Sequence, residues 1–189
     1  MSLKLITPPA LEPVTLAEAK LHLRVSGTAE DTLITALIVA ARQHAEHITE
    51  RAFITQTWEL ALDAFPAAEI RLPRPALLTI VSVKYDDAAA VEQTISGSGY
   101  TLDTHAQPGW LLPAYNTTWP TTLAAANAVR IRYTAGYGPA AADVPAGIKA
   151  WMLLRIGALY RNREELADGR QAVPSFVDRL LDPYRIWVL

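Results

Sequence analysis

The chain of 189 residues contains no cysteine. That excludes disulfides, thiolate metal sites and cysteine nucleophiles, and it fits a reducing compartment. An excess of charge is missing as well: 17 Lys and Arg stand against 19 Asp and Glu, a net charge of −2. No basic field draws such a chain to nucleic acid or to an anionic membrane. Long hydrophobic runs are also absent. The most apolar stretch, residues 148–160, holds Lys149 and Arg155 and is too short to span a bilayer. The opening M-S-L-K-L-I-T-P-P lacks the apolar region and small-residue cleavage site of a signal peptide. The expectation is a soluble, cytoplasmic chain with no membrane partner.

Signatures of catalysis are equally scarce. There is no G-x-S-x-G, no P-loop lysine motif and no H-E-x-x-H. Gly136-Tyr137-Gly138-Pro139-Ala140-Ala141 matches G-x-G-x-x-A after a strand, but Pro139 removes a backbone donor that a phosphate needs, and no βαβ unit surrounds it. A structural turn is the better reading. His44, Glu46, His47 and Glu50 crowd one stretch of a predicted helix, where His44 and His47 share a face with Glu50 nearby; a solvated polar face outweighs a metal site there. Asp86, Asp87 and Asp103 sit at strand ends, where aspartate more often forms turns than acid–base pairs. No catalytic, cofactor or metal residue is therefore assigned.

What is present is organised around residues 129–165. Val129, Ile131 and Tyr133 alternate with Arg130, Arg132 and Thr134, the period of a half-buried strand. Gly136, Gly138 and Pro139 stop it. Asp143 is a plausible N-cap, with Pro145 in the first turn of an unusually apolar helix over 145–161. Upstream, residues 1–14 hold three prolines and predict an extended arm. Thr15 and Glu18 form a capping-box pattern that opens a short helix to about Val25. Thr28 caps a longer helix to about Arg51, with the stripe Ile34, Leu37, Ile38, Ala41, Ala45 and Ile48.

After Phe53 the period changes to two: Trp58, Leu60 and Leu62, then Ile70 and Leu72, then Leu77–Tyr85, then Tyr100–Asp103. Residues 111–127 predict a long irregular loop, and the C-terminal part a last helix from Ser175 to Pro183 with an apolar tail. Helices, then short strands, then helices give an α+β fold. The predicted organisation is a helical core, residues 1–53 plus 143–189, carrying an inserted β-rich subdomain, residues 54–142. Charge differs mildly along the chain: residues 1–63 hold five Lys/Arg against eight Asp/Glu, residues 149–189 seven against five.

Several segments in this order resemble one known family. They are P-V-T-L-A-E-A-K-L-H-L-R-V, R-A-F-I-T-Q-T-W, L-P-R-P-A-L-L-T-I-V-S-V-K-Y-D-D, Y-T-L-D, V-R-I-R-Y-T-A-G-Y-G, V-P-A-G-I-K-A-W, Y-R-N-R-E and L-L-D-P-Y-R. The chain resembles the head–tail connector, or head-completion adaptor, family of tailed bacteriophages and prophages. The resemblance implies a structural protein of the virion neck, made in the host cytoplasm. It implies a homo-oligomeric ring, matched to portal symmetry and docked on the portal protein. A further head-completion or tail-completion protein would follow, and DNA would pass without sequence-specific binding.

A closed ring needs two different patches on each subunit. Leu37 and Ala41 on the long helix, and Ile148, Trp151, Met152, Arg155 and Leu159 on the apolar one, are the candidate subunit interface. Trp110, Tyr115, Trp119, Tyr184 and Trp187, in loops or near the C-terminus, are candidates for portal or tail contacts, since Trp and Tyr bury large area and keep a polar handle. Arg161, Arg163 and Arg170 are weaker candidates for a channel lining. The alternative is a small enzyme or ligand-binding domain with its site between helical core and β insert.

Overall fold

The structure, a computed structural model, describes residues 1–162 and 176–187. Arg163, Arg170, the predicted helix start at Ser175 and the tail residues Val188 and Leu189 lie outside these. The chain is α+β and divides into two compact units: residues 1–10 with 55–137, and residues 11–54 with 138–189.

The first unit is built of antiparallel strands. Five of them, β1 (Ser2–Thr7), β2 (Gln56–Leu62), β8 (Val129–Ala135), β4 (Leu77–Asp86) and β5 (Glu92–Ile95), form one sheet in that order. A second sheet runs β3 (Ile70–Leu72), β7 (Gly109–Pro113), β6 (Tyr100–Asp103). The alternation in β8 holds: Val129, Ile131, Tyr133 and Ala135 are buried. Arg130 and Arg132 take the other face, where Arg130 pairs with Asp86 and Glu92, and Arg132 with Glu59. Hydrogen bonds from Arg130, then the field of that cation, hold Asp86 below the usual carboxylate range. Tyr133 Oη donates to the carbonyl of Pro73 at 2.7 Å, and burial raises its phenol. β4 carries two bulges, at Leu78 and Val81, which leave both side chains exposed.

Two expectations fail here. The N-terminal arm is in part a strand: prolines begin only at Pro8, so Ser2–Thr7 remain free to pair with β2, Leu3 opposite Leu60. The loop expected from 111 begins later, because Trp110, Leu111 and Leu112 extend between β3 and β6, and Pro113 closes the strand.

Among the described residues the second unit holds three α-helices, α1 (Leu16–Leu23), α2 (Asp31–Thr49) and α3 (Ala146–Arg161), and a 3-10 helix over Phe176–Tyr184. The capping box at Thr15 and Glu18 forms as expected. Arg24 ends α1 in the left-handed region. α2 starts three residues later than predicted, with Glu30 at the N-cap, since no side chain caps it and Thr28 only accepts from the Asp31 amide through its carbonyl. α3 starts after Pro145; Asp143 instead sits in a preceding 3-10 turn and accepts from the Ala140 amide at 2.8 Å. That geometry explains Gly138: a Cβ there would lie 2.2 Å from Asp143 Oδ2. The Gly136–Ala141 motif is thus a structural turn, with the space beside Gly138 filled by the chain's own carboxylate. Gly136 itself leaves β8 at φ 144°, a conformation that favours glycine.

Candidate assembly surfaces

The stripe on α2 that sequence periodicity picks out is real: Ile34, Ile38, Ala41 and Ala45 are fully buried. So are Ile148, Trp151, Met152 and Ile156 of α3. Four candidates for the subunit interface are therefore reassigned. Ala41, Ile148, Trp151 and Met152 are core residues of the single chain and present no atoms to a partner. The apolar character of α3 is accounted for by packing: α1, α2 and the 3-10 helix all contact it. Trp151 Nε1 donates to Asp178 Oδ1 at 2.9 Å, and His44 meets the Trp151 ring edge-on, centroids 5.5 Å apart. Burial and the nearby Arg155 cation lower the His44 pKa. Leu37, Arg155 and Leu159 are half-buried and keep some outward surface.

Charge is placed with equal economy. Arg42 of α2, its side chain 7% exposed, bridges Glu12 and Glu46 at 2.7 Å each. Glu46 in turn accepts the Phe53 amide at 2.9 Å. Burial alone would lower the Arg42 pKa; the two carboxylates outweigh it and raise it. Lys149 meets Glu18 at 3.3 Å and Lys20 meets Asp31 at 2.6 Å. Among the described residues no group of three His, Asp or Glu is arranged to hold a metal ion, the His44–Glu50 stretch included.

The aromatic candidates divide. Trp119 is committed within its own unit, stacked on Phe65 with centroids 4.8 Å apart and donating to the Ala68 carbonyl at 2.7 Å. Trp110 is half-buried in β7. Tyr184 accepts through its carbonyl from Arg51 and packs against Gly147, where a Cβ would come within 2.9 Å of its hydroxyl. Tyr115 and Trp187 alone are open, 89% and 69% exposed.

At the two ends of α1 lie surfaces of which sequence reasoning named as a contact candidate only Arg161, for a channel lining. Near its C-terminal end, His22, Leu23 and Arg24 face Leu154, Gly157, Tyr160 and Arg161 of α3 across an open groove of about 460 Å³. The helices approach closely here because position 157 is glycine: a Cβ would sit 3.3 Å from His22 Nε2. Near the N-terminal end, Leu11, Val14, Leu16 and Ile38 line an apolar groove of about 290 Å³ with Glu12 at its rim. A third groove, about 490 Å³, belongs to the strand unit between Leu60, Leu62, Ile70 and Pro73. Leu21, 81% exposed on α1, lines none of these grooves.

The model of the phage gp6-like head-tail connector protein family matches residues 13–104. Over its full length the chain is similar to solved virion proteins. A chain in the neck of an empty gene transfer agent particle, computed with C6 symmetry, matches at 26% identity and TM-score 0.83. A chain in the virion of the native gene transfer agent particle matches at 27% and 0.81. A chain in the native neck computed with C12 symmetry matches at 26% and 0.80. Each match covers 100% of this chain and 98% of the other. No curated protein matches the sequence. The class is that of virion structural proteins. Within it, the chain is similar over residues 13–104 to the phage gp6-like head–tail connectors.

Proposed function

We propose that copies of this chain form a closed ring in the neck of a virion, a structural and non-catalytic part between portal and tail. The observation that supports this most is the full-length likeness, at TM-score 0.83, to a chain of a particle neck computed with C6 symmetry, alongside one computed with C12. In this reading the helices form the core of each subunit and the strand unit is carried as an insertion. The ring matches the symmetry of the portal protein on one side and receives the next head-completion or tail-completion protein on the other. Exposed Tyr115 and Trp187 are the aromatic side chains available for those contacts. DNA passes through without sequence-specific binding. A net charge of −2 suits that role, because a dense basic wall would hold phosphates rather than release them. Assembly takes place in the host cytoplasm.

The test is native mass across a concentration series, with and without a phage portal protein. A closed ring of fixed copy number, alone or on portal, is expected. A chain that stays monomeric at every concentration and is not retained by portal would overturn the reading.

A further inference from the structure

The two ends of α1 differ in charge as well as in shape. At the C-terminal end, neither Arg24 nor Arg161 has an acidic partner among the described residues, while Leu154 beside them is 43% exposed. At the N-terminal end the carboxylates stand outward and their cations inward. The Glu12 side chain is 25% exposed against 7% for Arg42, and Glu18 43% against 25% for Lys149. A partner approaching that end meets carboxylate oxygen, together with Leu11, which is 41% exposed. The eight residues of α1 hold the two surfaces about 12 Å apart. Both lie in one unit, so the separation is a property of that unit alone.

We infer that these surfaces are the two halves of the head-to-tail contact between neighbouring copies. Leu11 of one copy seats in the groove between α1 and α3 of the next, and Glu12 and Glu18 face Arg24 and Arg161. This rests on the ring reading and gives it an interface. The occupant is a second copy because the same unit carries both the free cations beside an open groove with Leu23 and Leu154 in its lining, and the outward carboxylates with an exposed leucine. A heterologous contact that closes into a ring requires just such a pair of unlike patches. Charge across the contact steers docking and weakens with salt. It also sets the direction of addition, since like ends repel.

The experiment uses full-length chains in the conditions where the unaltered chain rings, alone or on portal. Arg24→Ala with Arg161→Ala removes one half of the contact, and Leu11→Arg the other. All three positions are exposed, so circular dichroism and melting should match the parent. Each variant alone is expected to lose the ring and run as a monomer. Mixed in equal amounts they should give a one-to-one dimer and stop, because only one good contact remains. Rings formed by either folded variant, or no dimer on mixing, would overturn the inference while leaving the ring reading intact. If the parent neither rings nor binds portal, the ring reading falls and the inference with it. Retention of the double-arginine variant's ring alone while portal binding is lost would assign the basic end to portal instead, which also overturns the inference.

Discussion

Arg42 offers the sharpest test of how the helical unit holds together. Arg42→Met keeps most of the aliphatic volume and deletes the cation that bridges Glu12 and Glu46. Glu12 can turn to water, its side chain being 25% exposed; Glu46, at 11%, cannot do so readily. Removing one partner of a buried pair costs about 3–5 kcal/mol, since a charge stays behind in low dielectric. The Phe53 amide still donates to Glu46, which offsets part of that and favours the lower end, about 3 kcal/mol. For a chain of this size that is a drop in melting temperature of roughly 6–12 °C. The second variant, Arg42→Met with Glu46→Gln, removes that buried carboxylate charge and should recover part of the loss.

Thermal melts followed by tryptophan fluorescence and circular dichroism compare the single and the double variant with the parent. A single variant that melts like the parent at neutral pH, or a double variant no better than the single, would refute this account of the Glu12–Arg42–Glu46 cluster.

Trp151→Ala should lower monomer stability by about 3–5 kcal/mol through the cavity it leaves, and Trp151→Phe by about 1 kcal/mol through the lost bond to Asp178, both read from denaturant unfolding under dissociating conditions. A Trp151 variant that impaired assembly while unfolding like the parent would restore that residue to the subunit interface. His44 titrates below its ordinary value in the folded state, so the unfolded chain takes up the proton first as pH falls through about 6.5. Stability from a neutral His44 is therefore present above that pH and declines below it. His44→Gln should flatten this part of the melting-temperature profile, and an unchanged profile would remove His44 from the account.

Much of the local structure was legible because it rests on neighbours in the chain. Thr15 and Glu18 read as a capping box and form one, three residues apart. The alternation of Val129–Tyr133 reads as a half-buried strand and is one. The six residues before Pro8 were harder, since a strand at a sheet edge is defined by the partner beside it, and that partner, β2, lies over fifty residues away. Four of the seven interface candidates, Ala41, Ile148, Trp151 and Met152, were reassigned to the core for a related reason. Periodicity shows that Ile148, Trp151 and Met152 seek cover, but not whether the cover comes from the same chain or another.

Composition and pattern alone therefore indicated the α+β class, the type of most helices and strands, and the likeness to phage connectors carried by short ordered segments. Only the tertiary structure decided which apolar surface is spent inside the chain and which remains. It gave the cover of Trp151 to α2 and the 3-10 helix, tied Glu12 to Arg42 across 30 residues, and left Arg24, Arg161, Leu11 and Leu154 outward. Burial and pairing are sums over contacts between residues distant in sequence, so no window along the chain contains them.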